Sequence, residues 1–159
     1  AIPMAGGAMK ELLDTYRAAW TKAGHPGRGT VMLAFHMFCH RDQATAESIA
    51  REPLNRYLKS LVEGAGDWLS GTNSADYPGY DKVIDMLSRE NFDTQVAKCA
   101  AWVGTPKRIL ETIARYQEQV GGFEIASVQV NFNDIAVSDA MDSMRLFGEE
   151  VLPRVQGNQ

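Results

Sequence analysis

The sequence predicts an α/β fold in which parallel strands, covered by helices, form part of a larger domain. Residues 30–39 (TVMLAFHMFC) are almost continuously apolar and too short for a typical helix, which indicates a strand buried on both faces. Residues 124–132 (EIASVQVNF) alternate between apolar and polar side chains, which indicates a second strand. The helical segments between them are long enough for parallel crossovers. Because two strands do not make a sheet, we expect this chain to need further strands.

Helices are predicted around these strands from spacing and capping signals. From Lys10 apolar residues recur every three or four positions until Gly24, which is expected to end the first helix in a left-handed conformation. Asp42 is expected to cap the next helix, which carries a kink at Pro53. Ala1 to Met4 is read as a third strand remnant.

The second half of the chain has sharper helix boundaries. Thr105 followed by Pro106 predicts a helix start, and Gly121 predicts its end. Ser138 is expected to cap the last helix, which ends before Pro153. Its predicted buried face is Ala140, Met141, Met144, Phe147 and Val151.

A glycine-rich stretch interrupts this order. Residues 64–79 (GAGDWLSGTNSADYPG) contain turn-forming residues and show no helical or strand period. We expect an irregular excursion there, followed by a short helix from Tyr80, and we interpret residues 1–159 as a segment of a single domain.

Composition excludes several classes of function. The 159 residues carry a net charge of −4, with basic and acidic residues interspersed, so no nucleic-acid partner is expected. No apolar run reaches the roughly 20 residues that a membrane-spanning helix needs, and the start lacks a signal peptide's basic residues. A cytoplasmic protein is therefore the expectation. Cys39, on a predicted strand, and Cys99, on a predicted helix, are expected to be reduced, buried thiols, and no metal site is expected.

Several segments, in this order, resemble the carboxy-terminal portion of the bacterial-luciferase-like flavin-dependent monooxygenases, which are (β/α)8 barrels of the TIM type. Residues 1–4 (AIPM) resemble the end of the family's sixth strand, and residues 16–27 (YRAAWTKAGHPG) resemble its sixth helix and turn. Residues 103–106 (VGTP) resemble a helix start, although Lys107 replaces the usual acidic residue. Residues 140–155 (AMDSMRLFGEEVLPRV) resemble the closing helix. Residues 30–40 and 125–132 then correspond to strands seven and eight.

The resemblance implies an incomplete barrel, comprising about strands 6–8 and their helices. As a full-length protein it implies a monooxygenase that oxidises an organic substrate with dioxygen and reduced FMN, supplied by a separate flavin reductase. A deazaflavin is the alternative cofactor. This segment alone is expected to be inactive, because much of the flavin site in the family comes from earlier strands. The implied partners are the missing N-terminal part of the barrel or another copy of the chain.

Barrel enzymes place their active sites at the carboxyl ends of the strands, which selects the candidate residues here. The substrate-pocket candidates are His36, Phe38, Gln129 and Asn131. The amides of the last two need partners, which a ligand, the neighbouring backbone or water would supply. His36 and His40 are about 13 Å apart at normal strand rise, too far to share a metal.

The cofactor-binding candidates come from the resemblance. Met4, Ala5, Gly6 and Gly7 match the stretch beside the flavin ring, where small residues allow a planar ring to approach. The catalytic residues stay unassigned. A rival interpretation is a non-catalytic flavin-binding or oligomerisation module derived from the same barrel, and two copies pairing through open strand edges are a third.

Overall fold

The computed structural model describes residues 6–71 and 80–157. Helices and strands alternate along most of the chain. Their order is α1 (Gly6–Lys22), β1 (Met32–Cys39), α2 (Gln43–Gly71), α3 (Tyr80–Ser88), α4 (Phe92–Ala97), β2 (Ala101–Gly104), α5 (Pro106–Val120), β3 (Ile125–Gln129), α6 (Val137–Glu150) and α7 (Leu152–Gln156).

The three strands form one parallel sheet in the order β2-β1-β3. The central strand β1 pairs with β3 from Met32 to His36 and with β2 from His36 to Cys39. The predicted α/β class with parallel strands is therefore confirmed. Strands β1 and β3 are direct neighbours, as expected of consecutive strands in a barrel. The prediction missed β2, because its four residues are too few to show a period.

The sheet has two faces, which we name after residues of β1. The Phe35 face also carries Leu33, Met37 and Trp102, and it packs on α1, α5 and α6. The His36 face also carries Phe38, Ala101 and Val103, and it packs on α2 and on the segment after β3. The N-terminal part of β1 departs from the prediction, since Met32 and Ala34 are exposed on the His36 face.

Helix α5 forms as predicted. The Thr105 hydroxyl accepts a hydrogen bond from the Arg108 amide, and Pro106 occupies the first turn. Gly121 ends the helix at φ +75°, a left-handed conformation that glycine adopts at low cost. The Asp42 carboxylate likewise accepts the Thr45 amide at the start of α2, as predicted.

Three other predictions are wrong. Helix α2 continues through Gly64 and Gly66 to Gly71, so the first half of the expected irregular stretch is helical, while residues 72–79 lie outside the described residues. Cys99 lies in a turn at φ +59° and not on a helix, although both cysteines are free and buried as expected.

The third correction concerns α6. Its N-cap is Ala136, without a side-chain hydrogen bond, so Ser138 does not cap it. Its buried residues include Ser143, whereas Met141 and Met144 are 49% and 40% exposed. The Ser143 hydroxyl accepts the Cys39 amide at 2.7 Å, a contact that turns this polar side chain inward.

Candidate functional site

The candidate pocket residues lie where strands β1 and β3 approach their carboxyl ends. His36 and Phe38 are two residues apart on β1, so their side chains point to the same face, and both are buried. Gln129, the last residue of β3, is paired with His36 across the sheet. Neighbours in register share a face of a sheet, so the structure brings these three predicted residues together.

His36 is the least satisfied polar residue in this group. Its side chain is only 6% exposed, and its ring makes edge-to-face contacts with Tyr57 at 4.6 Å and Phe132 at 5.2 Å. Both ring nitrogens are buried, and neither has a hydrogen-bond partner among the described residues. An unpaired buried nitrogen costs about 1–3 kcal/mol, so this arrangement needs an explanation.

Burial also sets the charge of His36. Loss of hydration disfavours the imidazolium ion and lowers the pKa of His36 from 6.5 to about 4. The ring is therefore neutral at physiological pH, with one nitrogen as a hydrogen-bond donor and the other as an acceptor.

The two predicted amides behave differently. The Asn131 side chain donates a hydrogen bond to the Ile135 carbonyl at 3.2 Å, so its partner is the neighbouring backbone. The Gln129 side chain is exposed and makes no hydrogen bond to the part of the chain that the structure describes. Of the pair, Gln129 is thus the one whose amide is free to meet a ligand.

The cofactor candidates are only partly described. Met4 and Ala5 lie outside the described residues, and Gly6 and Gly7 are the first two residues of α1. A Cβ atom built at Gly7 would meet no atom within 4 Å. Gly7 thus has open space beside it, and a role of these four residues in flavin binding stays a prediction.

His40 occupies a different place from His36. Its Nδ1 accepts the Asp42 amide at 3.0 Å, and it borders a polar cavity of about 310 Å³ between β1, α2 and α6. Cys39 borders the same cavity, but burial, aided by the nearby Glu150 carboxylate, raises the pKa of its thiol to about 12. A thiol in this state is a poor nucleophile.

Two residues of the site were missed from sequence. They are Tyr57, which lies on α2, and Phe132, which the sequence analysis placed at the end of the second predicted strand. They are 21 and 96 positions from His36 along the chain, and no local sequence pattern indicates contacts between residues so far apart.

Within the described ranges no cluster of His, Cys, Asp and Glu is arranged to hold a metal ion. None of the described helices is long and apolar enough to cross a membrane.

Comparison with known proteins gives a family and two structural relatives. Residues 3–121 match the family model of the luciferase-like monooxygenases. The monooxygenase RslO1 from Streptomyces bottropensis has 22% identity and a TM-score of 0.61, over 92% of this chain and 38% of its own. The second relative is the oxygenating constituent of 3,6-diketocamphane monooxygenase, a type II Baeyer-Villiger monooxygenase from the CAM plasmid of Pseudomonas putida, in complex with FMN. It has 23% identity and a TM-score of 0.62, over 92% of this chain and 39% of its own.

These likenesses confirm that the α/β fold corresponds to part of a luciferase-like TIM barrel. The chain spans less than two fifths of either relative. A search of the curated proteins gave no match.

Proposed function

The chain belongs to the luciferase-like monooxygenase family, and we propose that it supplies strands seven and eight of an enzyme that oxidises an organic substrate with dioxygen and reduced FMN. The observation that carries this proposal is the buried, unsatisfied His36 beside Gln129 near the carboxyl ends of β1 and β3. Parallel barrels place their chemistry at this end of the strands.

His36 is the proposed substrate contact. Because its ring is neutral, it donates one hydrogen bond and accepts another without bringing a charge into the pocket. An uncharged oxygen or nitrogen atom of the substrate would satisfy one of the ring nitrogens and remove the cost of leaving it unpaired. Tyr57 and Phe132 fix the plane of the ring, so the direction of that hydrogen bond is set before the substrate arrives.

Phe38 and Gln129 complete the proposed pocket. Phe38 is fully buried on the same face and supplies an apolar wall that excludes water. The free amide of Gln129 offers a second donor and acceptor next to His36, its partner in strand register. Asn131 holds the segment after β3 through its bond to Ile135, which places Phe132 against His36.

The proposed flavin contacts are Met4, Ala5, Gly6 and Gly7. The open space at Gly7 is the structural feature that fits a flat ring approaching the backbone. When bound, reduced flavin supplies the electrons and activates dioxygen, and the protein positions the substrate and keeps the pocket dry. A separate flavin reductase is the proposed source of reduced FMN, with a deazaflavin as the alternative cofactor.

The remaining strands of the barrel are the proposed partner of the open edge of β3. Among the described strands β3 pairs only with β1, and Ile125 of β3 is 47% exposed. An open strand edge beside exposed apolar side chains pairs readily with another strand. The N-terminal part of the barrel, or a second copy of the chain, would cover it.

To test this, the gene is expressed with any coding sequence upstream of Ala1. FMN binding and oxygen uptake are then compared between the parent protein and His36→Phe. The control is His25→Phe, because His25 is exposed at a turn. We expect FMN to bind all three proteins, and substrate-dependent oxygen uptake with reduced FMN to fall at least tenfold only in His36→Phe. FMN binding without turnover on any substrate would favour the non-catalytic module. If neither FMN nor a deazaflavin binds, the proposed enzymatic function is refuted. Equal turnover in all three proteins would refute the role of His36 as a substrate contact.

A further inference from the structure

The ring nitrogens of His36 are sealed in the structure, although the proposed function needs a substrate atom to reach one of them. Both nitrogens are buried, and no group in the described part of the chain bonds to them. A hydrogen bond to His36 requires a substrate oxygen or nitrogen atom within about 3 Å of a ring nitrogen. Because the closed arrangement leaves no such approach, a group packed against His36 must move before the substrate can bind there.

The two aromatic side chains that pack against His36 are held to different degrees. Phe132 is fully buried, so its movement would bring a large apolar surface into water. The segment after Phe132 is also closed by the Asn131 side chain, which donates to the Ile135 carbonyl. Tyr57 is partly exposed already, and its hydroxyl forms no hydrogen bond with the described residues. Tyr57 is therefore the neighbour that can turn away at lower cost, while Phe132 keeps the imidazole in place.

An ion pair connects the helix that carries Tyr57 with the segment that carries Phe132. Arg56 directly precedes Tyr57 on α2. Its guanidinium forms an ion pair with the carboxylate of Asp134, which follows Phe132 by two positions. Both charged side chains are about half exposed. Because an exposed ion pair is weak, the two walls beside His36 are joined by a contact that can break while the core stays folded.

We propose, on the premise that His36 contacts the substrate, that Tyr57 is a gate over His36 and that the Arg56–Asp134 ion pair is its latch. In the closed state the ion pair is formed and the imidazole is sealed. When the ion pair breaks, α2 loosens at this point and the Tyr57 side chain turns towards solvent, which opens one edge of the ring. This opening is local, so it occurs far more often than unfolding of the whole chain.

The test measures how fast diethyl pyrocarbonate, a reagent that acylates the ring nitrogens of histidine, modifies His36. The protein is expressed with any coding sequence upstream of Ala1, and peptide mass spectrometry at pH 7 compares His36 with the exposed His25. Because the closed ring cannot react, the rate at His36 reports the population of the open state. We expect His36 to react more slowly than His25, but faster than the unfolded fraction measured by urea denaturation would allow.

Substitutions at Asp134 test the latch. Asp134→Asn removes the negative charge and should speed the modification of His36 about two- to fivefold, the size of effect that an exposed ion pair has. Asp134→Glu keeps the charge and should react like the parent protein. The matched control is Arg89→Gln, which breaks another exposed ion pair, with Asp85 on α3, and should leave the rate at His36 unchanged.

A destabilising variant on the opposite face separates the gate from unfolding of the whole chain. Arg17→Ala removes two hydrogen bonds from α1, on the Phe35 face, and leaves Tyr57 and its latch intact. The gate predicts an unchanged rate at His36 in this variant. A rate that rises about five- to thirtyfold would show that His36 reacts only in the unfolded chain, and would overturn the gate. Complete protection of His36, or equal rates in Asp134→Asn and Arg89→Gln, would also overturn it. None of these readouts involves flavin or turnover, so failure of the gate is distinct from failure of the proposed function.

Discussion

Replacing His36 with phenylalanine should make the fold more stable and less sensitive to acid. In the folded chain burial lowers the pKa of His36 to about 4, whereas the unfolded chain titrates near 6.5. Between these pH values the unfolded state binds a proton that the folded state does not bind. The contribution of His36 to the unfolding free energy is therefore complete above pH 6.5 and is lost as the pH falls towards 4. A pKa difference of this size corresponds to about 3 kcal/mol of lost unfolding free energy.

The assay is urea denaturation followed by circular dichroism at pH 7 and pH 4.5. Carboxylates with low pKa values, such as Asp42 and Asp93, also weaken the fold in acid, but they do so equally in both proteins. The advantage of His36→Phe over the parent should therefore grow by about 2–3 kcal/mol between the two pH values.

A control separates this effect from a general gain in apolar surface. In His40→Phe the ring that accepts the Asp42 amide is lost, so this variant should be less stable at pH 7 by about 0.5–1.5 kcal/mol. Parallel pH dependence in His36→Phe and the parent would show that His36 is hydrated or hydrogen-bonded in the folded protein, which would contradict its buried, unpaired state.

Three further substitutions test the packing around the site, each by urea denaturation at pH 7. Ser143→Ala leaves the buried Cys39 amide without its acceptor and should cost about 1–3 kcal/mol; a change below 0.5 kcal/mol would argue against that hydrogen bond. Arg17→Ala removes two hydrogen bonds to the glycine carbonyls that follow α5 and should cost about 1–2 kcal/mol, with little rescue by lysine, which lacks the fork of donors. Thr105→Ala removes the N-cap of α5 and should cost about 1 kcal/mol, whereas Thr105→Ser should be nearly neutral; equal losses would contradict the capping role.

The sequence predicted best the features that depend on neighbouring residues. Thr105 and Gly121 act locally, through the first and last turns of α5, and both boundaries were correct. Strand β1 was recognisable because its apolar run is long enough to exclude a surface strand. Strand β2 was not, because its four residues are too few to show a period.

Features that depend on distant partners were harder to predict. Met141 and Met144 suggested the buried face of α6, but Ser143 faces inward because the Cys39 amide, 104 positions away, needs an acceptor. His36 and Gln129 were selected from the sequence by the carboxyl-end rule. Their pairing across the sheet is visible only in the structure, and their role in a site stays a prediction. The aromatic contacts that make His36 an unsatisfied buried group are visible only in three dimensions.

The most direct measurement follows labelled oxygen from dioxygen into product. The protein, expressed with any upstream coding sequence, is supplied with reduced FMN, isotopically labelled dioxygen and a panel of organic substrates, and the products are analysed by mass spectrometry. We expect one labelled oxygen atom to enter each product molecule, and His36→Phe to reduce this incorporation greatly. Products that carry oxygen from water, or no oxygenated product with any substrate in the panel, would contradict this expectation.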